Sequence, residues 1–355
     1  MPETAANPAL GVLIFTLGGL AGAVFYLPFK KVKGWAWESY WLIYALAGLV
    51  VVPWALAFIT SPNVISVLQA APGSELLYCM ACGALWGFGG LTWGLMIRYL
   101  GVGLGLAMGA GITSAAGTLI PPLLKGSGAA SAMFTTPAGQ ASVASALVSV
   151  IGIVFVGMAG KSKAAELPDE EKKKSVAEFN FKKGILVAIF SGLMSSGMSF
   201  GLQGGPEMQK LSLSTAPATS VTWAGMPVLV VVLLGGFLVN GIWCVILNLR
   251  NKTGGDYAKA GVPIGANLLL AAMAGAIWTS QFICFKTGEP EMGKTSYVGW
   301  SVLMAAQILF SQLLGVKLGE WKGAGLKTVR LLIVGLALLI ASSVIAAYAG
   351  SLAQA

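Results

Sequence analysis

The stretch LGVLIFTLGGLAGAVFYLPFKKVKGWAWE, residues 10–38, sets an uncharged run of twenty residues directly before a cluster of Lys and Trp. Roughly 20 apolar residues are what an α-helix needs to cross the hydrocarbon of a bilayer. Lys30, Lys31, Lys33, Trp35 and Trp37 then read as an interfacial anchor, because indole rings favour the headgroup region and lysines favour its cytoplasmic side. Pro28, which lacks an amide hydrogen, helps to end the helix. A secretory signal places its basic residues before the apolar run. Here residues 1–8 hold no Lys or Arg and include Glu3, so the run is expected to be a retained span with its N-terminus outside.

Nine further apolar runs follow. With the first they predict spans over residues 9–29, 39–60, 75–97, 102–123, 140–160, 184–205, 218–248, 262–285, 296–317 and 327–349, the seventh long enough to be tilted, broken at Gly235-Gly236 or extended into the cytoplasm. The 22 Lys and Arg residues sort between alternate gaps. Eighteen fall in one set, and only Lys125, Lys210, Lys286 and Lys294 fall in the other. The positive-inside rule makes the richer set cytoplasmic, which puts both termini in the periplasm and the central polar segment in the cytoplasm. Composition agrees: 56% of residues are hydrophobic, 10% are charged, and mean hydropathy is +0.81, outside the range of soluble domains. The net charge of +9 therefore reads as orientation in a lipid bilayer, not as a nucleic-acid surface.

The longest polar segment, Lys161 to Lys183, divides the chain into residues 1–160 and 184–355, with five spans in each. An odd number of spans per half makes the second half cross the membrane in the opposite sense. The expected fold is all-α and polytopic, ten transmembrane helices arranged as two inverted five-helix repeats around a charged cytoplasmic linker at 161–183. Gly11-Val12-Leu13 and Gly19-Leu20 line up with Gly184-Ile185-Leu186 and Gly192-Leu193 at a single offset. Glycines spaced by four, among them Gly18 and Gly22, Gly83 and Gly87, and Gly101 and Gly105, predict closely packed helices.

Several chemistries are excluded. The chain has no His, which removes Ser-His-Asp and Cys-His nucleophile pairs and the common zinc sites. It has no phosphate-binding loop of the G-x-x-x-x-G-K-[ST] type. Cys79 and Cys82 have redox spacing but lie in an apolar run, and they read with Cys244 and Cys284 as buried hydrophobes. No enzyme activity, metal or cofactor is expected.

Specific strings carry a family resemblance. The segment from Phe25 to Glu38 resembles the first cytoplasmic loop of the L-rhamnose–proton symporters. Further strings match in the same order: Gly83 to Gly87 with Arg98 to Gly101; Gly111 to Thr113 with Gly117 to Leu119; Glu178 to Gly184; Ser196 to Phe200; and Glu320-Trp321. The resemblance runs nearly end to end. It implies a member of the drug/metabolite transporter superfamily that imports a small neutral sugar, L-rhamnose first, with a proton across a bacterial inner membrane by alternating access.

A sugar site needs hydrogen-bonding groups and an aromatic face within the protein interior, since lipid satisfies no polar group. Trp86 and Trp93 lie two turns apart in the third span, Thr113 in the fourth, Ser199 and Gln203 one turn apart in the sixth, Trp278 and Gln281 in the eighth, and Gln307 in the ninth. Each also has a plain structural reading. A membrane Ser or Thr often bonds its own helix, and a Gln ties helices together.

The proton needs a titratable group, and none falls mid-span. The symporters this chain resembles carry Asp and His in the region matching the ninth span, whereas residues 296–303 here read SYVGWSVL. Glu75 and Glu207 are the foremost edge candidates, beside Glu289, Glu291, Glu38 and Glu320, all of which also read as solvated loop charges. Sodium coupling, facilitated passage, a different sugar or metabolite on the same scaffold, and a non-transporting sensor all remain compatible with this interior.

Overall fold

The computed structural model describes residues 7–124, 127–166, 176, 178–292 and 299–354, and among these every regular element is helical. The first half holds α1 (Pro8–Val24), α2 (Trp37–Leu46), α3 (Val52–Thr60), α4 (Val64–Ala70), α5 (Gly73–Leu100), α6 (Val102–Leu124), α7 (Ser127–Thr135) and α8 (Pro137–Glu166). The second half holds α9 (Phe181–Gln203), α10 (Pro206–Ser214), α11 (Met226–Asn251), α12 (Ile264–Glu291), α13 (Gly299–Lys317) and α14 (Leu326–Gln354). Helices are the expected solution for apolar runs of this length, because in lipid each backbone N–H must find its acceptor within the segment.

Eight helical stretches among the described residues are long and apolar enough to cross a membrane. They are Pro8–Lys31, Trp37–Thr60, Gly73–Leu100, Pro137–Glu166, Phe181–Ser214, Val221–Asn251, Ile264–Glu291 and Leu326–Ala349. Two shorter apolar helices, Val102–Gly117 and Val302–Lys317, occupy the places of the fourth and ninth expected spans. The distribution of polarity is inverted relative to a soluble protein. Leu77, Leu186, Leu249 and Val344 are exposed, while Ser145, Ser149, Ser191, Asn240, Thr279 and Gln307 are buried. Such a surface is stable only against hydrocarbon, and the protein is a polytopic membrane protein.

The chain forms two compact units. Unit 1 comprises Met1–Ala23, Gly89–Ser196 and Gly288–Ala355; unit 2 comprises Val24–Phe88 and Gly197–Thr287. In unit 1, α8 packs along α14, where Ser145 donates to the Ser342 carbonyl at 2.7 Å, and against α6, where Ser149 donates to the Gly111 carbonyl at 3.1 Å. In unit 2, α5 and α11 touch backbone to backbone: a Cβ on Gly83 would overlap the Val232 carbonyl, and one on Gly235 the Met80 carbonyl. The four-residue glycine spacing is thus used for close helix approach.

Three local features depart from the expectations. The second span contains a π turn at Ala47–Val51, just before Pro53. Proline has no amide to offer the preceding turn, and the wider turn absorbs the mismatch; Thr279 of α12 donates to the Gly48 carbonyl in this turn. The seventh helix begins at Met226 and continues unbroken through Gly235 and Gly236, both buried. Finally, Lys163 and Lys286, expected in solvated gaps, lie within α8 and α12 and are only 2% and 4% exposed. Their long aliphatic stems let them extend a helix beyond its apolar run.

Candidate functional site

Unit 2 brings Trp86 of α5 and Trp278 of α12 together. Their rings stack with centroids 4.6 Å apart and planes inclined by 27°. Phe282, one turn after Trp278, lies 4.7 Å from it, and Tyr44 of α2 meets it edge-on at 6.2 Å. The position of Trp86 follows from a glycine: a Cβ on Gly236 would come within 2.5 Å of its indole, so α11 leaves the ring its space. Beside it, Asn240 donates to the Gly87 and Gly236 carbonyls at 3.2 and 2.9 Å and accepts the Trp41 indole N–H at 2.9 Å. The aromatic cluster is therefore fixed by a satisfied polar centre, which is costly to disturb in a low-dielectric interior.

Gln281, one turn after Trp278, is 3% exposed. Ser199 is buried on α9, and the exposed Gln203 folds back to donate to the Ser199 carbonyl at 3.1 Å and hydroxyl at 2.9 Å. Those two residues thus satisfy one another within their helix.

The remaining sequence-derived residues have partners of their own. Trp93, Thr113 and Gln307 belong to unit 1. Thr113 donates to the Gly109 carbonyl of its own helix at 2.9 Å and to the Gly192 carbonyl of α9 at 3.1 Å, and Trp93 packs half-buried against Gly109. Gln307 reaches the Gly22 carbonyl at 3.3 Å. Glu75 accepts the Glu207 and Met208 amides at 3.0 and 2.9 Å, capping α10. Glu207 is exposed and lies 3.5 Å from Lys210.

Sequence reasoning passed over Tyr44, Phe282 and Asn240. Asn240 carried a legible signal, a lone amide in the middle of a long apolar run, whereas the two aromatics were indistinguishable from packing residues. Glu38 and Glu320, inner-edge proton candidates that also read as solvated loop charges, are buried, at 6% and 3% exposure. Each carboxylate is enclosed by donors: Glu38 accepts from Asn251 and Thr253, and Glu320 from the Val102 and Gly103 amides.

Known proteins resemble this chain along almost its whole length. The family model described as L-rhamnose-proton symport protein (RhaT) matches residues 5–351. An L-rhamnose-proton symporter of Klebsiella pneumoniae (strain 342) is 34% identical over 339 residues, 93% of this chain and 95% of that protein. One of Escherichia coli (strain 55989 / EAEC) is 31% identical over 340 residues, 94% and 96% of the two chains. A solved structure at 14% identity overlays 96% of this chain and 98% of its own with a TM-score of 0.48, too low to bear on fold or function. With the family match spanning nearly every helix described above, the chain belongs to the L-rhamnose-proton symport protein family.

Proposed function

We propose that the protein imports L-rhamnose together with a proton across a bacterial inner membrane, by alternating access, and performs no chemical conversion. The observation that carries this reading is the buried stacked pair Trp86 and Trp278 with the buried Gln281 one turn away. A deoxy sugar has an apolar C–H face suited to an indole and hydroxyls suited to an amide, and such a mixed surface is what a sugar site requires. Trp93, Thr113, Ser199, Gln203 and Gln307 complete the proposed set. Glu75 and Glu207 are proposed at the outer edge of the proton path.

The proposed architecture is ten helices in two inverted five-helix repeats, split by the cytoplasmic linker at 161–183, with both termini periplasmic. The placement of the unit boundaries supports it. Unit 1 gives way to unit 2 at Val24 in the first half and at Gly197 in the second, and these positions are separated by 173 residues. The same offset relates Gly11-Val12-Leu13 to Gly184-Ile185-Leu186. Each half also yields its middle segment to unit 2 and returns to unit 1 for its last segment, beginning at Gly89 and Gly288 respectively. An internal repeat would divide both halves in this corresponding way.

Counterflow of labelled L-rhamnose in proteoliposomes tests the transport reading, because exchange needs a substrate site and no ion gradient. Saturable exchange is expected, and its absence for rhamnose overturns the substrate. Imposed pH and sodium gradients then test the coupling ion, with accumulation expected from the pH gradient alone.

A further inference from the structure

Glu320 lies in the turn between α13 and α14, in unit 1, and is 3% exposed. Both of its oxygens hold the start of α6: Oε1 accepts the Val102 amide at 2.7 Å and Oε2 the Gly103 amide at 2.8 Å. The approach is possible because α5 and α6 are joined by a single residue, Gly101, at φ +88°, where a Cβ would stand 2.8 Å from Oε2. Gln312 of α13 holds the same helix start by donating to the Gly103 carbonyl.

Across this junction lies Lys163 of α8, 2% exposed. Its Nζ is 5.2 Å from the Trp321 ring and 5.5 Å from the Phe179 ring, and it feels the charge of Glu320. Among the described residues, the other charges at this end are engaged or face outward. Arg98 of α5 pairs with Glu178 at 2.6 Å. Glu166 of α8 accepts from Ser162, the Gly325 amide and Thr328, and Lys317, Lys327 and Arg330 are exposed. The other buried carboxylates, Glu38 and Asp256, hold the loop before α2 and the turn after α11 instead of the start of a helix that bears a proposed site residue.

We infer that Glu320 carries the symported proton at the cytoplasmic end, and that its protonation releases the start of α6 and so permits inward opening. This rests on the proton-symport reading above. A carboxylate accepts only, with both oxygens available to N–H donors. A proton on one oxygen turns that oxygen into a donor, removes the negative charge facing the helix start, and takes from Lys163 the anion whose charge it feels. The converse also holds, since drawing α6 away strips the anion of two donors and favours proton uptake. Proton binding and helix release are therefore reciprocally linked. Eleven residues along α6 from Val102, Thr113 bonds α9, so displacement of the helix reaches the neighbouring span. The proton comes from the periplasmic side with the sugar, sits on Glu320 as the inner end opens, and leaves to the cytoplasm before α6 closes again onto the carboxylate.

The test uses the full chain in proteoliposomes, with rhamnose counterflow and accumulation driven by a pH gradient measured side by side. Absence of counterflow in the parent defeats the transport reading itself, separately from this inference. For Glu320→Gln, which keeps one acceptor oxygen but cannot ionise, counterflow is expected to persist while gradient-driven accumulation falls at least tenfold. Accumulation equal to the parent's overturns the inference. Should that variant fail to fold, Lys163→Gln gives a second readout. Loss of the neighbouring cation raises the proton affinity of Glu320 and is expected to move the pH midpoint of uptake upward by more than half a unit. A purely structural lysine leaves that midpoint in place, and an unmoved midpoint also overturns the inference.

Discussion

The Asn240 side chain accepts the Trp41 indole N–H at 2.9 Å while its own amide hydrogens serve the Gly87 and Gly236 carbonyls. One residue thus joins α2, α5 and α11 behind the stacked tryptophans. Replacing Asn240 with Leu removes all three bonds and strands the indole N–H in the interior. At roughly 0.6 kcal/mol per membrane hydrogen bond, with a further cost for the orphaned donor, the loss is about 2 to 3 kcal/mol. Thermal denaturation in detergent should show it, and Trp41→Phe combined with Asn240→Leu should cost less than the sum of the two single changes.

Removing one member of the Trp86 and Trp278 stack isolates its role. Trp86→Ala deletes an aromatic contact of about 1 kcal/mol beyond its buried area, and leaves a void beside Gly236. The expected result is at least a fivefold rise in the rhamnose concentration giving half-maximal counterflow. Trp86→Phe, which keeps a ring, should lie between this variant and the parent. Equal half-saturation values in all three proteins would remove the pair from the sugar site.

Gly83 and Gly265 offer a paired comparison. A Cβ on Gly83 overlaps the Val232 carbonyl, whereas one on Gly265 meets nothing within 4 Å. Gly83→Ala should destabilise by about 1 to 3 kcal/mol, since helix backbones do not give way as side chains do. Gly265→Ala should be neutral or slightly stabilising. Melting temperatures in one detergent suffice to compare them.

Glu75 and Glu207 should respond differently to neutralisation. Glu75→Gln weakens the cap on α10, where both carboxylate oxygens accept amides, and should cost about 1 kcal/mol. Glu207→Gln breaks an exposed pair with Lys210, and such pairs contribute little, so stability should stay within about 0.5 kcal/mol of the parent. Chemical denaturation of the solubilised protein distinguishes the two.

The helical, membrane-spanning character was legible because bilayer thickness translates directly into run length, and residues 10–29 or 327–349 meet that length without ambiguity. Helix ends were less legible. Lys163 and Lys286 read as loop residues because charge usually marks a span's end, yet each helix continues past its apolar run and buries the lysine. Trp86 and Trp278 could be proposed from position alone, but nothing in the chain revealed that they stack, since that depends on the space left by Gly236. The burial of Glu320 was hidden for a related reason. It results from the single-residue join at Gly101, a matter of backbone geometry and not of composition.

The interleaving of the two units bears on how the protein is made. Gly11 and Gly19 of α1 lie against Met292 and Ala306, so α1 has its packing partner some 290 residues downstream. At about 5 to 20 residues per second, that partner is translated roughly 15 to 60 seconds later. Throughout that interval the glycine face of α1 is covered by lipid or by the insertion machinery. Unit 1 closes only once its segment from Gly288 has been made, and a chain terminated shortly before Gly288 denies α1 its contacts with Met292 and Ala306.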